Sequence, residues 1–148
     1  MIATVYRRKL PHVRIDGAVY FITWRVRNDQ PDLSVDERDC TVSAIRHFAN
    51  LRYILHAYVI MNDHVHVLVQ PFPGRRLEDL LRTWKSFTAN RMQREFGRAG
   101  AIWQEEYCDR IVRDDAEYEQ KWSYILNNPR KRWPGIDTYR WSWGIGAE

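Results

Sequence analysis

Apolar and polar positions alternate along the chain with two different periods, and the switches between them predict the elements. Ala18 to Val26 (AVYFITWRV) is dense in β-branched and aromatic residues and predicts a strand. Pro31 marks the loop that follows. Ser34 then stands three residues before Glu37, a capping box opening a helix toward Asn50, with Val35, Val42, Ile45 and Ala49 at roughly helical spacing. Tyr53 to Met61 predicts a second strand, Asn62-Asp63 a tight turn, and His64 to Gln70 the returning strand of a hairpin. From Arg75 to Phe96 an amphipathic helix is expected, with Leu77, Leu80, Leu81, Trp84, Phe87 and Thr88 on one face and Gly97 as the stop. A short strand near Tyr107 to Val112 leads to a last helix. There Asp114 and Glu117 form a second capping-box pattern, and Pro129 is expected to end the helix at Asn128.

The order is strand, helix, hairpin, helix, strand, helix, then a Trp-rich tail. It predicts the α+β class, an antiparallel sheet with packed helices in a ferredoxin-like arrangement. No repeat, low-complexity stretch or Gly/Ser linker divides the 148 residues, so one domain is expected over 1–148. Residues 1–17 would be a basic N-terminal arm, and 129–148 a basic, Trp-rich tail.

Composition changes this picture in two respects. The aromatic share is 14%, with seven Trp, and aromatics serve both as core anchors and as platforms for unstacked bases. The net charge of +4 points mildly toward polyanions. Cys40 and Cys108 form no C-x-x-C pair and follow no signal peptide, so they are expected to be reduced thiols. No apolar run approaches the length of a membrane span, and a cytoplasmic protein, nucleoid-associated and without membrane partners, is expected.

The hairpin's returning strand carries the first candidate chemistry. With a period of two, Val65, Val67 and Val69 face one way and His64, His66 and Leu68 the other. Two neighbouring imidazoles can share a metal ion, or can be half-buried histidines satisfied by local hydrogen bonds.

On the last helix, Tyr118, Trp122, Ile125 and Leu126 form the packing stripe at about 100° per residue. Tyr124 lies off it, on the flank of Lys121 and Asn128. Tyr124 and Asn128 are neighbours one turn apart. A phenol with a pKa near ~10 is a weak nucleophile unless charge is stabilised beside it. Two histidines could hold part of a divalent ion's shell, and Asn128 could add an oxygen. Mg²⁺ or Mn²⁺ suits such ligands, though ligand preference also admits zinc.

Several motifs together carry a family resemblance. AYVIMNDHVHVLVQP resembles the His-hydrophobic-His motif of the HUH single-strand nucleases, and WSYILNNP the catalytic tyrosine helix of single-tyrosine transposases. LRTWKSFTANRM, AIWQEEYCDRIVRD, YFITWRV and YRWSW are similar to segments of REP-associated tyrosine transposases, so the resemblance spans Tyr6 to Trp143. It implies a ferredoxin-like sheet bearing the histidines and a helix presenting the tyrosine. It implies that Tyr124 attacks a phosphodiester of single-stranded DNA, leaving a 5′-phosphotyrosine and a 3′-OH. It further implies that His64, His66 and Asn128 bind the metal, and that the substrate is a hairpin flanked by a single-stranded guide. Two departures stand out: Asn62 replaces the usual proline of the turn, and Arg130, Lys131, Arg132 and Trp133 replace a small, apolar continuation after Asn-Pro.

Arg7, Arg8, Lys9 and Arg14 before the first strand and Arg130, Lys131 and Arg132 after the tyrosine are candidate phosphate contacts, joined by Lys85, Arg91 and Lys121. Trp133, Trp141 and Trp143 are expected to close the core rather than stack bases. The expected partners are single-stranded DNA and DNA hairpins, bound by a monomer or homodimer. Two other readings are a domesticated protein that binds hairpins without cutting and a zinc protein unrelated to DNA.

Overall fold

A computed structural model of the protein describes residues 13–147. Among them are five strands, β1 (Val19–Arg25), β2 (Tyr53–Ile60), β3 (His64–Pro71), β4 (Cys108–Val112) and β5 (Ser142–Gly144). The helices are α1 (Val35–His47), α2 (Leu77–Glu95) and α3 (Asp115–Arg132). The strands form one antiparallel sheet in the order β4-β1-β3-β2-β5. Its first four strands have the ferredoxin-like order, and the fold is α+β.

Strand alternation separates two cores. Ile22, Trp24, Val65, Val67 and Val69 pack beneath α1 and α2 with Ile45, Leu80, Trp84 and Met92. Phe21, Ala57, Val59 and Leu68 pack beneath α3 with Ile125, and Tyr118, Trp122 and Leu126 close that side. Trp24 stacks on Trp84 at 5.7 Å and meets Trp103 edge-on at 6.0 Å, contacts worth about 0.5–1.5 kcal/mol each beyond area burial.

A bulge in β2 keeps both cores filled. Leu55 pairs with Val69 and Ala57 with the very next residue, Leu68, so His56 is one residue too many for the ladder. Tyr53 and Leu55 therefore face α1 and α2 before the bulge, whereas Tyr58 and Ile60 do so after it. His56 itself lies 2.6 Å from the Tyr118 hydroxyl through Nδ1 and 3.0 Å from Gln70 Oε1 through Nε2, tying α3 to the sheet.

The capping box of α1 is present: Glu37 N–H donates to Ser34 Oγ, and Ser34 N–H donates to Glu37 Oε1. Buried Glu37 also receives two bonds from Arg98, at 2.7 and 2.8 Å, and Arg98 donates to the Pro31 and Asp32 carbonyls. The loop before α1 and the end of α2 are thereby clamped together.

Four expectations need correction. Val35 and Phe87 are exposed rather than packed. The buried stripe of α2 continues through Met92, which moves its centre away from Phe87. At Asp114 only half of a capping box forms, because Glu117 accepts from Arg113 N–H and pairs with Arg110 instead of reaching the Asp114 backbone. Helix α3 does not stop at Asn128 but runs through Pro129 to Arg132. The proline forgoes one backbone bond, while its own carbonyl accepts from Trp133 N–H at 2.7 Å and holds the last turn. Finally, the tail supplies β5, which extends the sheet beside β2. At Gly144 a Cβ would come within 2.9 Å of Leu126 and Trp122, so glycine permits α3 to lie close on this strand. Trp141 and Trp143 pack against the first core and Trp133 against the second.

Candidate active site

The face of the sheet beneath α3 carries the polar residues that sequence alternation set apart. Thr23 on β1 and His66 on β3 are cross-strand partners, as are Arg25 and His64. Side chains directly opposite one another project from the same face, so the two histidines share a surface with Thr23 and Arg25. Their ring centroids are 4.8 Å apart.

Each imidazole is fixed through Nδ1. Asp63 Oδ1 lies 2.7 Å from His64 Nδ1; a carboxylate only accepts, so Nδ1 donates and the lone pair of His64 is on Nε2. Thr23 Oγ1 lies 2.7 Å from His66 Nδ1, and when it accepts that proton His66 also presents an Nε2 lone pair. His66 Nε2 is buried with no hydrogen-bond partner among the described residues. Burial holds both imidazoles below the ordinary histidine range. For His64 it outweighs the Asp63 bond, and for His66, with repulsion from His64, Arg25 and Lys121 added, it lowers the pKa to about 3.

Two neutral imidazoles, each tethered through the other nitrogen, are a donor set suited to a divalent metal, and the orphaned His66 Nε2 is an atom that such an ion would satisfy. Among the described residues no third His, Cys, Asp or Glu completes a cluster, so a further protein ligand would be of another kind.

Helix α3 brings Tyr124 over this surface. Its ring lies 5.3 Å from that of His66 and 6.0 Å from that of Phe21, edge-on to both, while the side chain remains exposed. Phe21 in turn stacks on His66 at 5.4 Å. Asn128, one turn beyond Tyr124, is buried. Lys121 Nζ stands 5.0 Å from the Phe21 ring and Lys131 Nζ 5.8 Å from the Tyr124 ring. Between β1, α3 and the segment preceding β4 opens a cleft of about 410 Å³, bordered by Thr23, Arg25, His66, Lys121 and Tyr124.

The candidate cations divide into two groups. Lys121 and Lys131 are beside the tyrosine, and Arg130 and Arg132 are exposed on the same last turns of α3. Arg14, Lys85 and Arg91 are engaged elsewhere. Arg14 bridges Glu78 and buried Asp109 at 3.1 and 3.0 Å, Lys85 donates to the Gln104 and Glu105 carbonyls, and Arg91 pairs with Glu95 along α2. Arg7, Arg8 and Lys9 lie outside the described residues.

Sequence reasoning passed over Thr23, Phe21, Arg25 and Asp63. The alternation of YFITWRV held the signal for the first three, since a period of two sets them on one face. Asp63 was hidden in the turn.

A family model described as IS200-like transposase matches residues 17–128, about three quarters of the chain and all of the elements just described except the end of α3 and β5. The chain belongs to the IS200-like transposase family. Among solved structures, the fold of this chain is similar to that of a REP-associated tyrosine transposase bound to a REP hairpin, with a TM-score of 0.77 and 20% identity over 92% of this chain and 82% of that one. It is also similar to a Deinococcus radiodurans protein described as a transposase, with a TM-score of 0.54 and 22% identity over 80% of this chain and 96% of that one. At these identities the two likenesses speak for the fold. No curated protein matches the sequence.

Proposed function

We propose that this transposase-family protein cleaves and rejoins single-stranded DNA beside a hairpin, with Tyr124 as nucleophile and His64, His66 and Asn128 as ligands of Mg²⁺ or Mn²⁺. The observation that carries the reading is the position of the exposed Tyr124 5.3 Å from the ring of His66, whose buried Nε2 has no hydrogen-bond partner among the described residues. Support for a hairpin substrate comes from the structural relative that binds one.

In this reading the cations Lys121 and Lys131 draw the sugar-phosphate backbone to α3. Phe21 and His66 pack against the ring of Tyr124 and limit its orientations, so the phenol is presented rather than searching. The Tyr124 oxygen bonds to phosphorus as the P–O3′ bond breaks, and the departing oxygen takes up a proton to become a 3′-OH. The protein keeps the 5′-phosphate as a tyrosyl ester. Attack on that ester by another 3′-OH reverses the step and joins strands without a nucleotide cofactor. A bound divalent ion would supply positive charge to polarise the phosphate. Thr23 and Asp63 serve by fixing the histidine tautomers that leave Nε2 facing outward from each tether.

The deciding experiment incubates the protein with labelled single-stranded DNA carrying a hairpin, in Mg²⁺ or Mn²⁺. A covalent protein–DNA band that requires metal and disappears in Tyr124→Phe is expected. An adduct of equal yield in Tyr124→Phe overturns the assignment of the nucleophile. Tight hairpin binding with no adduct under any metal selects a binding protein that does not cut.

A further inference from the structure

The wall of the cleft opposite α3 is made by the segment before β4, and its chemistry differs from that of the wall bearing Lys121. This segment is held rigidly. Trp103 bridges to Val26, Gln104 N–H donates to the Arg25 carbonyl at 2.8 Å, and Lys85 donates to the Gln104 carbonyl at 2.8 Å. Burial lowers the pKa of Lys85, and with a three-proton donor fixed on two carbonyls its part is to position this wall. Arg14 donates to the Tyr107 hydroxyl at 3.2 Å and steadies the aromatic residue at the back.

This wall carries two side chains with acceptor oxygens. Gln104 and exposed Glu106 both line the cleft. The Gln104 side chain is anchored by one N–H donated to the Val26 carbonyl at 3.2 Å, and its amide oxygen is an acceptor. Glu106 presents a carboxylate, which only accepts. Arg25 and Lys121 complete the cleft with cations, and Tyr107 and Tyr124 with aromatic surface. The volume of about 410 Å³ lies within the range of small-ligand sites, about 300–1,000 Å³.

We infer that this cleft receives one unstacked base of the DNA strand and selects a base bearing an exocyclic amine over thymine. Adenine, cytosine and guanine each offer an amine to the Gln104 oxygen and the Glu106 carboxylate. Thymine offers a single N–H flanked by two carbonyl oxygens, which a pair of acceptors repels. The cations on the other side meet the phosphate attached to that base, and the tyrosines give its faces an aromatic surface. The inference rests on the reading of the chain as a single-strand DNA-processing protein, and it adds which base lies beside Tyr124.

The test measures binding, so it does not depend on cleavage. Labelled nine-nucleotide thymidine strands, with the central residue thymidine, adenosine, cytidine, guanosine or abasic, are titrated with the full chain in low salt. Strands with an amine-bearing base should bind about tenfold more tightly than all-thymidine, which should bind about as the abasic strand does. In Glu106→Gln, whose amide adds a donor, all strands should bind somewhat more tightly while the ratio of amine-bearing to thymidine strands falls toward one. Equal binding of all strands, a preference for thymidine, an unchanged ratio in Glu106→Gln or no binding of any strand overturns the inference. Base preference without any covalent adduct would overturn the nuclease reading alone, and an adduct without base preference would overturn the pocket alone.

Discussion

The ring of Tyr124 meets that of His66 edge-on, 5.3 Å apart and at 69°, across the gap between α3 and β3. Replacement of the hydroxyl alone leaves this contact and the one to Phe21 in place. Tyr124→Phe is therefore expected to melt within about 0.5 kcal/mol of the parent, as surface changes do, while covalent adduct formation falls by a factor on the order of 10³ or more. Thermal melts and denaturing gels on the same preparation check both halves. A Tyr124→Phe protein that has lost both stability and adduct would show that the tyrosine is structural.

Thr23 is the partner of His66 Nδ1, at 2.7 Å and buried. Thr23→Val preserves the shape of the side chain and removes the oxygen that tethers Nδ1. Outer-shell partners of metal-binding histidines are typically worth about 10- to 100-fold in affinity. Calorimetric titration with Mn²⁺ should show a loss of that size in Thr23→Val and a larger one in His66→Ala. Unchanged Mn²⁺ affinity in Thr23→Val would contradict this role.

Lys85 and Lys131 carry the same charge in opposite circumstances. Lys85 is bound to two backbone carbonyls beneath the cleft wall, and Lys131 is exposed beside Tyr124. In DNA-binding isotherms over a series of salt concentrations, Lys131→Ala should reduce the slope of log affinity against log salt by about one. Lys85→Met should leave that slope unchanged. A slope reduced equally in both would place Lys85 on the DNA.

The Glu37–Arg98 pair is nearly dry, with side-chain exposures of 4% and 5%. Burial opposes the charge on Glu37, yet the Arg98 bonds and the Ser34 backbone donor prevail and hold its pKa below the ordinary 4.5. A carboxylate whose native pKa is depressed contributes stability fully above its unfolded value and loses it as pH falls through the native one. Arg98→Met should cost about 3–5 kcal/mol at pH 7, since it strands a buried charge. Urea unfolding should show the difference from the parent shrinking as the pH is lowered below about 4.5. A gap that stays constant down to pH 3 would mean that Glu37 is not the titrating partner.

The parts of the fold legible in the sequence were those set by local periodicity. HVHVLV separated valines from histidines because strand alternation depends only on the chain itself, and the α3 stripe from Tyr118 to Leu126 could be counted at helical spacing. Strand β5 could not be read that way: three residues in a Trp-rich tail become a strand only because β2 offers them an edge. The continuation of α3 past Pro129 was hidden for a similar reason, as the proline rule weighs one lost bond and not the turn that closes beyond it. At the site, His64, His66 and Tyr124 announced themselves by type and spacing. Gln104 and Glu106 stand in an aperiodic segment whose course is dictated by Lys85, Arg25 and Val26, all distant in sequence.

The bulge at His56 gives β2 a change of parity. Odd-numbered residues (Tyr53, Leu55) build the α1/α2 core up to that point, and even-numbered ones (Tyr58, Ile60) build it afterwards. Drawing His56 into the ladder would give one uninterrupted rhythm and send the side chains beyond it to the wrong side of the sheet. The residue that the ladder has no place for is also the one that grips Tyr118, near the start of the helix that bears Tyr124. The same irregularity thus sets the phase of the core and anchors the candidate nucleophile's helix, so the two can be expected to change together or not at all.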